Sequence, residues 1–305
     1  MIYSFLLSFI FTIVTIPFLR KIAFKFNIID YPDKNLKNHE KATPYLGGMA
    51  FMGAFLLFTP FSLFRKLYVF ILGILGLYDD IKSLNPWIRI TLEFVIGYLV
   101  AIRFLDNPFK VLIATIFYAF LTNSVNMMDG MDGICATTSL IATVGLIFTV
   151  AYPNDKYYLI ALIGTLLGFI IFNFPPAKIF MGDLGSYTIG GILGIAIISS
   201  FSKSFDHTIA SLIILAPFFI DTFSSMFRRI LHEKSPFSGD REHIYDKIFR
   251  ITKDKRKTLL FTAVISTIFC SLGMFYLKSK VFSIIFSIIL IIFLILKLKL
   301  LKYGD

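Results

Sequence analysis

Long apolar runs follow one another along almost the whole chain, and they constrain the fold more than any other feature. Most of them approach the roughly 20 residues that a helix needs to cross a bilayer. Within lipid, only helices and closed barrels satisfy their backbone hydrogen bonds, and the runs are continuous rather than alternating. The sequence therefore predicts an all-α integral membrane protein, a polytopic helical bundle of about 11 transmembrane helices. The runs are 2–19, 45–64, 66–78, 87–104, 109–125, 134–151, 157–174, 187–201, 208–227, 257–277 and 281–300.

Composition supports the membrane assignment and excludes several other classes. Hydrophobic residues make up 57% of the chain and charged residues only 16%, whereas a soluble domain has roughly 25% charged residues. A single transmembrane domain, 1–305, accounts for the whole length. The net charge of +11 fits basic loops that face anionic lipid, and no nucleic-acid-binding module is present. Cys135 and Cys270 form no CxxC pair, so neither a disulfide framework nor a zinc site is supported.

The distribution of basic residues predicts the orientation. The first apolar run lacks a basic leader, and Arg20 and Lys21 follow it instead, so we interpret it as a retained helix whose N-terminus is outside. With that orientation, 22 of the 30 Lys and Arg residues lie in cytoplasmic segments and the other 8 lie outside. The prediction would weaken if one of the two short runs, 66–78 or 187–201, were not a span.

Four polar motifs interrupt the apolar runs, and the predicted topology places all of them on the cytoplasmic face. Carboxylates at the end of a span are costly to bury and usually functional. Polar loop residues without a function would be spread over both faces of the membrane. The motifs are GLYDDIKSLNP (76–86), NSVNMMDGMDG (123–133), FNFPPAKIFMGDLGS (172–186) and SPFSGDREHIYDK (235–247).

The carboxylates of these motifs predict a metal-bound phosphate site. We expect Asp79, Asp80, Asp129, Asp132 and Asp183 to converge, and like charges so close together repel unless a cation lies between them. Oxygen ligands without His or Cys favour Mg²⁺ or Mn²⁺, and Mg²⁺ commonly takes one or two carboxylates plus substrate phosphates. The i, i+3 spacing of Asp129 and Asp132 predicts that both lie on one face of a helix. Structural roles remain open for each: a solvated helix end, a capping turn, or an N-cap near Ser186.

Two basic segments complete the candidate site. In the long cytoplasmic loop, about 228–256, the apolar spacing within 244–249 predicts an amphipathic helix that Asp240 would cap. Arg241 and His243 beside it suit binding of a diphosphate, although a helix lying on lipid headgroups fits the same pattern. Lys41 precedes the TPYLGG segment, where it either contacts a phosphate or anchors the chain at the membrane surface.

Together these motifs resemble the polyprenyl-phosphate N-acetylhexosamine-1-phosphate transferases. The resemblance begins at IIDYPDKNLKNHEKATPYLGG, continues through the four motifs above, and covers most of residues 29–247. One bacterial branch transfers GlcNAc-1-phosphate and initiates O-antigen, common-antigen or teichoic-acid synthesis; the other transfers phospho-MurNAc-pentapeptide for peptidoglycan. The short DREHIYDK segment is more similar to the first branch. Two departures are Tyr245, where the family often has histidine, and Ser83, where it often has an acidic residue.

The resemblance implies a reaction and a role for each residue. Undecaprenyl phosphate attacks the β-phosphate of UDP-GlcNAc and releases UMP, with Mg²⁺ (or Mn²⁺) bridging the diphosphate. Substrate contacts would come from the long loop, from Lys41 and from the amides and carboxylates near the metal. The implied roles are metal binding by Asp183 and Asn126, orientation or deprotonation of the lipid phosphate by Asp79 with support from Asp80, and substrate binding by Lys41, Asn126, Asp129, Asp132, Asn173, Arg241 and His243.

The expected setting is the bacterial inner membrane, with the active site and C-terminus cytoplasmic. The implied partners are a UDP-N-acetylhexosamine, undecaprenyl phosphate and membrane lipids, with no nucleic acid, and a homodimer is left open. Two other functions compete: the peptidoglycan transferase, and a transporter or flippase for a lipid-linked sugar. Transporters place charged sites near the bilayer midplane, whereas the charges here lie at span ends on one side, which favours the enzyme.

Overall fold

The computed structural model describes residues 1–32, 41–60 and 62–304. Within these ranges the chain forms thirteen α-helices and one short antiparallel sheet, in which β1 (Ile29–Asp30) pairs with β2 (Thr43–Pro44). The prediction of an all-α protein is therefore confirmed in its main feature. The helices are α1 (Ile2–Lys25), α2 (Gly48–Phe58), α3 (Leu63–Ile81), α4 (Pro86–Ala101), α5 (Pro108–Met127), α6 (Ile134–Leu146), α7 (Pro153–Asn173), α8 (Gly182–Lys203), α9 (Phe205–Ile214), α10 (Ala216–Leu231), α11 (Ile244–Thr252), α12 (Lys255–Tyr276) and α13 (Lys280–Lys297).

The helices identify a multi-pass membrane protein. Among the described residues, six helices are long and apolar enough to cross a membrane: α1, α5, α7, α8, α12 and α13. The predicted run 208–227 folds as the pair α9 and α10, which bend by 67° at Leu215 and count as a seventh span if taken together. The other four predicted runs contain the shorter helices α2, α4 and α6 and the more charged α3. Eleven spans therefore stay a prediction.

Helix α8 lies at the centre of the bundle. It packs against α3 and α5, and 94% of the residues in its apolar stretch are buried. Its sequence is apolar or small on every side, which is the pattern of a helix surrounded by other helices. By contrast α1 and α13 are mostly exposed along their apolar lengths, as expected for helices whose outer faces meet lipid. The first turn of this central helix belongs to the polar motif 172–186.

Polar contacts define two ends of the bundle. At one end, which we call the cavity end, the end of α3, the α5–α6 turn and the start of α8 meet. At the opposite end, Arg65 of α3 forms an ion pair with the buried Asp155 at 2.7 Å, and Lys280 at the start of α13 pairs with Asp206 at the same distance. The C-terminal ends of α10 and α13 meet, because Arg228 reaches the backbone of Leu300, and they belong to the cavity end, because Arg241, which follows α10, lies there.

The structure corrects three local predictions about helix boundaries. Asp129 and Asp132 do not share a helix face, because they lie in the turn between α5 and α6. Helix α8 begins at Gly182, so Asp183 belongs to its first turn and does not cap a helix near Ser186. Helix α11 begins at Ile244 and its N-cap is His243, not Asp240. At α8 a contact from a distant segment accompanies the start, because Asp80 accepts the first N–H groups, whereas α11 starts with a local capping box between His243 and Asp246.

Candidate functional site

A cavity of about 450 Å³ opens at the cavity end. It lies where α3 ends, where α5 turns into α6, and where the connection from α7 enters α8. Most of its polar lining comes from residues that the sequence singled out, and four of these are carboxylates: Asp80, Asp129, Asp132 and Asp183, with Asn173 and Arg241 beside them. Three of the polar motifs and the long loop therefore contribute to a single space.

Asp80 is fixed against the start of α8. Its carboxylate accepts the backbone N–H of Asp183 at 2.9 Å and of Leu184 at 3.2 Å. The first N–H groups of a helix have no partner within the helix, and the positive end of the helix dipole favours an anion there. Asp80 therefore joins α3 to α8 while it faces the cavity, and its position sets the position of Asp183.

Asp183 and Asn126 are direct neighbours. The Asn126 side-chain amide donates to the Asp183 carboxylate at 2.7 Å and to the Ser186 hydroxyl at 3.0 Å. Asp183 lines the cavity, whereas Asn126 supports it from α5. This contact fixes the Asp183 carboxylate at the cavity wall, and the assigned amide orientation turns the Asn126 nitrogen, not its oxygen, toward that carboxylate.

Asp129 differs from the other acidic residues of the cavity. Its side chain is partly exposed there and forms no hydrogen bond with any described residue. Burial and the charges of Asp183, Asp80 and Asp132 raise the pKa of Asp129 well above its usual range. A carboxylate in such surroundings is stabilised in its charged form by a cation or a donor group, so the arrangement is suited to a bound cation or a cation-bearing ligand.

The donor set fits Mg²⁺ bound together with a substrate. Asp183, Asp80 and Asp129 present carboxylate oxygens to the cavity, which are the ligands that this ion prefers. Within residues 1–32, 41–60 and 62–304, no three His, Cys, Asp or Glu side chains form a preformed metal cage. Mg²⁺ usually keeps waters and completes its shell with substrate phosphates rather than occupying a cage made of protein ligands alone.

Asp132 and Asn173 hold the loops that form the cavity wall. The Asp132 carboxylate accepts the backbone N–H of Ala177 and the ammonium of Lys255, both at 3.1 Å. The Asn173 amide oxygen accepts the backbone N–H of Gly133 at 2.9 Å, and its nitrogen donates to the carbonyl of Ile179 at 2.9 Å. Both residues line the cavity, so they order the site and also border the space that a ligand would fill.

The two basic residues of the long loop occupy different places. Arg241 lines the cavity, and its guanidinium donates to the carbonyl of Gly130 at 3.3 Å. His243 is buried away from the lining, with its Nδ1 at 2.6 Å from the Asp221 carboxylate. Burial lowers the pKa of His243, but the charge and hydrogen bond of Asp221 outweigh it, so the pKa lies above its usual value. In this structure His243 ties the long loop to α10.

Four predicted site residues do not line the cavity: Asn126 and His243, described above, and Asp79 and Lys41. Asp79 points behind the wall, where its carboxylate accepts the backbone N–H of Leu84 at 2.6 Å and contacts Arg89 at 3.3 Å. Lys41 is exposed next to β2, and its carbonyl accepts the Thr43 hydroxyl at 2.9 Å. Adjacent helical residues point about 100° apart, so Asp79 and Asp80 cannot both face the same space.

A polar network lies behind Asp79, where the i, i+4 spacing of Arg89 and Glu93 predicted only a local pair. Arg89 reaches the Asn123 side chain at 3.4 Å as well as Asp79, and Asn123 in turn donates to the fully buried Glu93. The sequence did contain a signal for this network, since a charged residue inside an apolar run, here Glu93, is rarely incidental. On the same ground the sequence marked Asp221, for which a structural ion pair and a role in the site were both open; in the structure its partner is His243.

A family model and several known proteins match this chain. The family model for glycosyl transferase family 4 matches residues 63–201. An undecaprenyl-phosphate alpha-N-acetylglucosaminyl 1-phosphate transferase of Thermotoga maritima is 29% identical over 88% of this chain and 87% of its own length. The protein of the same name from Escherichia coli K12 is 28% identical over 87% and 81%, respectively.

A relative from the other branch is similar to a comparable degree. The phospho-N-acetylmuramoyl-pentapeptide-transferase of Clostridium beijerinckii is 31% identical over 64% of this chain and 71% of its own length. The family match includes Asp79, Asp80, the 123–133 motif and Asp183, which are the parts of the chain that build most of the cavity. On these grounds the chain belongs to glycosyl transferase family 4.

Proposed function

We propose that this protein transfers GlcNAc-1-phosphate from UDP-GlcNAc to undecaprenyl phosphate, giving undecaprenyl-diphosphate-GlcNAc and UMP. The observation that carries the proposal is the cavity at the ends of membrane helices, which is lined by Arg241 and by five carboxylates: Asp30, Asp80, Asp129, Asp132 and Asp183. Two relatives that cover most of the chain bear the name of this activity. A reaction between a lipid phosphate and a soluble nucleotide needs such a place, because one substrate arrives through the bilayer and the other through water.

Phosphoryl transfer depends on positioning and charge neutralisation more than on covalent chemistry of the protein. Asp183, Asp80 and Asp129 would hold Mg²⁺, which neutralises charge on the diphosphate when bound. The Asp80 contact to the α8 backbone keeps Asp183 in place before any substrate arrives. Arg241 presents a planar guanidinium, a group that matches phosphate oxygens with paired hydrogen bonds.

The acceptor phosphate must meet the donor within the same cavity. Asp80 rather than Asp79 reaches its wall, so in this proposal Asp80 faces the acceptor, while Asp79 acts indirectly through Arg89. Asn173 and Asp132 border the donor and order the loops that surround it. Lys41 and His243 take no direct part in this arrangement, because neither lines the cavity.

The rival substrate is UDP-MurNAc-pentapeptide, since the relative from Clostridium beijerinckii bears the name of that transferase. The loop between α10 and α11 spans only residues 232–243, and the 235–247 motif that overlaps it carries one histidine, His243. A large peptide-bearing sugar needs further contacts, and the cavity of about 450 Å³ is modest for it. These features favour the smaller GlcNAc donor over the pentapeptide donor.

We expect purified protein in detergent to release UMP from UDP-GlcNAc when undecaprenyl phosphate and Mg²⁺ are present. UDP-MurNAc-pentapeptide should react poorly or not at all, and EDTA should abolish the activity until Mg²⁺ or Mn²⁺ is restored. The measurement is UMP release together with chromatography of the lipid product. Preferential turnover of the pentapeptide donor would assign the protein to the peptidoglycan branch, and lipid-linked sugar transport without UMP release would support the flippase.

We also propose that the cavity end faces the cytoplasm and that the membrane is the bacterial inner membrane. The excess of Lys and Arg in the segments at this end is the basis for that orientation. A cysteine placed at Ser238 should react with an impermeant maleimide only from the cytoplasmic side, and one at Asn154 only from outside. Cys135 and Cys270 are buried, so the unmodified protein serves as the background control. The reverse labelling pattern would refute the orientation.

A further inference from the structure

The end of the chain folds back onto the long loop. After α13 the backbone turns, and the segment 298–304, which we call the C-terminal tail, lies against α10, the 232–243 loop and α11. Leu300 is fully buried, and its carbonyl accepts a hydrogen bond from the guanidinium of Arg228 at 2.7 Å. A buried carbonyl with a charged donor is a strong attachment, since such hydrogen bonds exceed neutral ones in strength. The tail is therefore packed against α10 at Leu300.

A second attachment joins the tail to α11. The Lys247 ammonium is almost fully buried, and it donates to the backbone carbonyls of Lys302 at 3.1 Å and Gly304 at 2.8 Å. The same ammonium pairs with Glu242 at 2.5 Å. A buried ammonium needs several acceptors to offset its lost hydration, and two of the acceptors of Lys247 belong to the tail. Removing the tail would leave this charge under-satisfied.

Tyr303 makes the third attachment, and its contacts combine a hydrogen bond with cation–π geometry. Its hydroxyl donates to the Asp240 carboxylate at 3.3 Å. The Lys234 ammonium lies 3.9 Å and the Arg228 guanidinium 5.5 Å from the centre of its ring, and His232 meets the ring edge-on at 4.9 Å. Aromatic rings attract cations at these distances. Tyr303 thus contacts both ends of the 232–243 loop.

These contacts surround the one residue of the loop that reaches the cavity. Arg241 lies between Asp240 and Glu242, and the tail contacts both of these carboxylates: Tyr303 through its hydroxyl, and Gly304 through its backbone N–H at 3.4 Å from Glu242. Burial opposes ionisation of Asp240, but Arg229 and Arg228 lower the pKa of Asp240 to about 2. Burial likewise raises the pKa of Glu242, and Arg250 and Lys247 lower it overall. Both neighbours of Arg241 are therefore charged anchors at neutral pH.

We propose that the C-terminal tail is a clamp that holds the 232–243 loop so that Arg241 projects into the cavity, and that Tyr303 is a positioning residue for donor binding. The inference rests on the proposed function for its link to the UDP-sugar. The loop has no helix or strand of its own, so its order depends on what it is tied to. Without the tail the loop gains conformational freedom, and each donor-binding event must then restrict it again.

The kinetic test compares Tyr303→Ala, Tyr303→Phe and Arg241→Ala, with Lys297→Ala as a control on the exposed last turn of α13. We expect Tyr303→Ala to raise KM for the UDP-sugar roughly tenfold, with kcat changed less than about twofold. Arg241→Ala should raise KM at least as much. Tyr303→Phe keeps the ring contacts and should recover part of the affinity, while Lys297→Ala should match the wild type. An unchanged KM in Tyr303→Ala would overturn the proposal.

Limited trypsin digestion gives a readout that does not depend on activity. Cleavage after Lys234 or Arg241 should be faster in Tyr303→Ala than in the wild type or in Lys297→Ala, because the loop is released. Cleavage at wild-type rates would refute the clamp. If wild-type protein turned over neither UDP-sugar while Tyr303→Ala was still cut faster, the proposed function would fail and the clamp would stand. A rise in KM without faster cleavage would contradict release of the loop.

Discussion

Asp183→Asn should lower the rate of UMP release by about 10³-fold or more, because it removes a negative charge at the centre of the acidic cavity. The Asp183 carboxylate lines the cavity beside Asp80 and Asp129 and is held there by Asn126 at 2.7 Å. Asparagine keeps the size of the side chain and one acceptor oxygen for the Asn126 amide, but it replaces the other oxygen with a donor and removes the charge. A metal–diphosphate complex would then lose attraction without a large change in shape. The measurement is UMP release at saturating donor and acceptor.

Asp206→Asn is the matched control for this substitution. Asp206 lies at the opposite end of the bundle, where it is partly exposed and pairs with Lys280 at 2.7 Å. Exposed ion pairs contribute little to stability, so the rate should stay near that of the wild type. Added Mg²⁺ or Mn²⁺ should not restore Asp183→Asn fully. Normal turnover by Asp183→Asn would exclude the residue from the site and would remove the main support for a metal there.

Gly76→Ala should reduce activity by about 10²-fold, because the packing between α3 and α8 leaves no room for a methyl group. A Cβ at this position would lie 2.3 Å from the Asp183 carbonyl oxygen and 2.7 Å from the Leu184 backbone nitrogen. These are backbone atoms of the first turn of α8, so the helices must separate. Overpacking of this kind costs about 1–3 kcal/mol in stability. Asp80, one turn further along α3, would lose its alignment with the N–H groups that it caps.

The same substitution at Gly239 provides the control. A Cβ added there meets no atom within 4 Å, so Gly239→Ala should leave both the activity and the midpoint of thermal unfolding in detergent unchanged. Gly76→Ala should lower the midpoint as well as the rate. Wild-type activity in Gly76→Ala would show that the site tolerates movement of Asp183, and it would contradict the tight coupling that the Asp80 contacts indicate.

Much of the fold was determined by the sequence alone. The apolar runs predicted helices because backbone groups in lipid must be satisfied within the segment, and each run does contain a helix. The apolar spacing within 244–249 predicted an amphipathic helix, and in α11 Ile244, Tyr245 and Ile248 are buried. The polar motifs at run ends marked the acidic cavity, since charges at such positions are costly unless they serve a function. These are local properties of composition and period.

Which side chain enters the cavity was decided only by the tertiary structure. Asp79 and Asp80 are neighbours in sequence, but the rotation of α3 against α8 directs Asp80 to the cavity and Asp79 to Arg89. The pairing of His243 with Asp221 and of Tyr303 with Asp240 joins segments that are distant along the chain. A periodic pattern sets the face that a helix buries, but not the residue opposite it. That partner depends on how whole helices pack, which no local stretch of the sequence encodes.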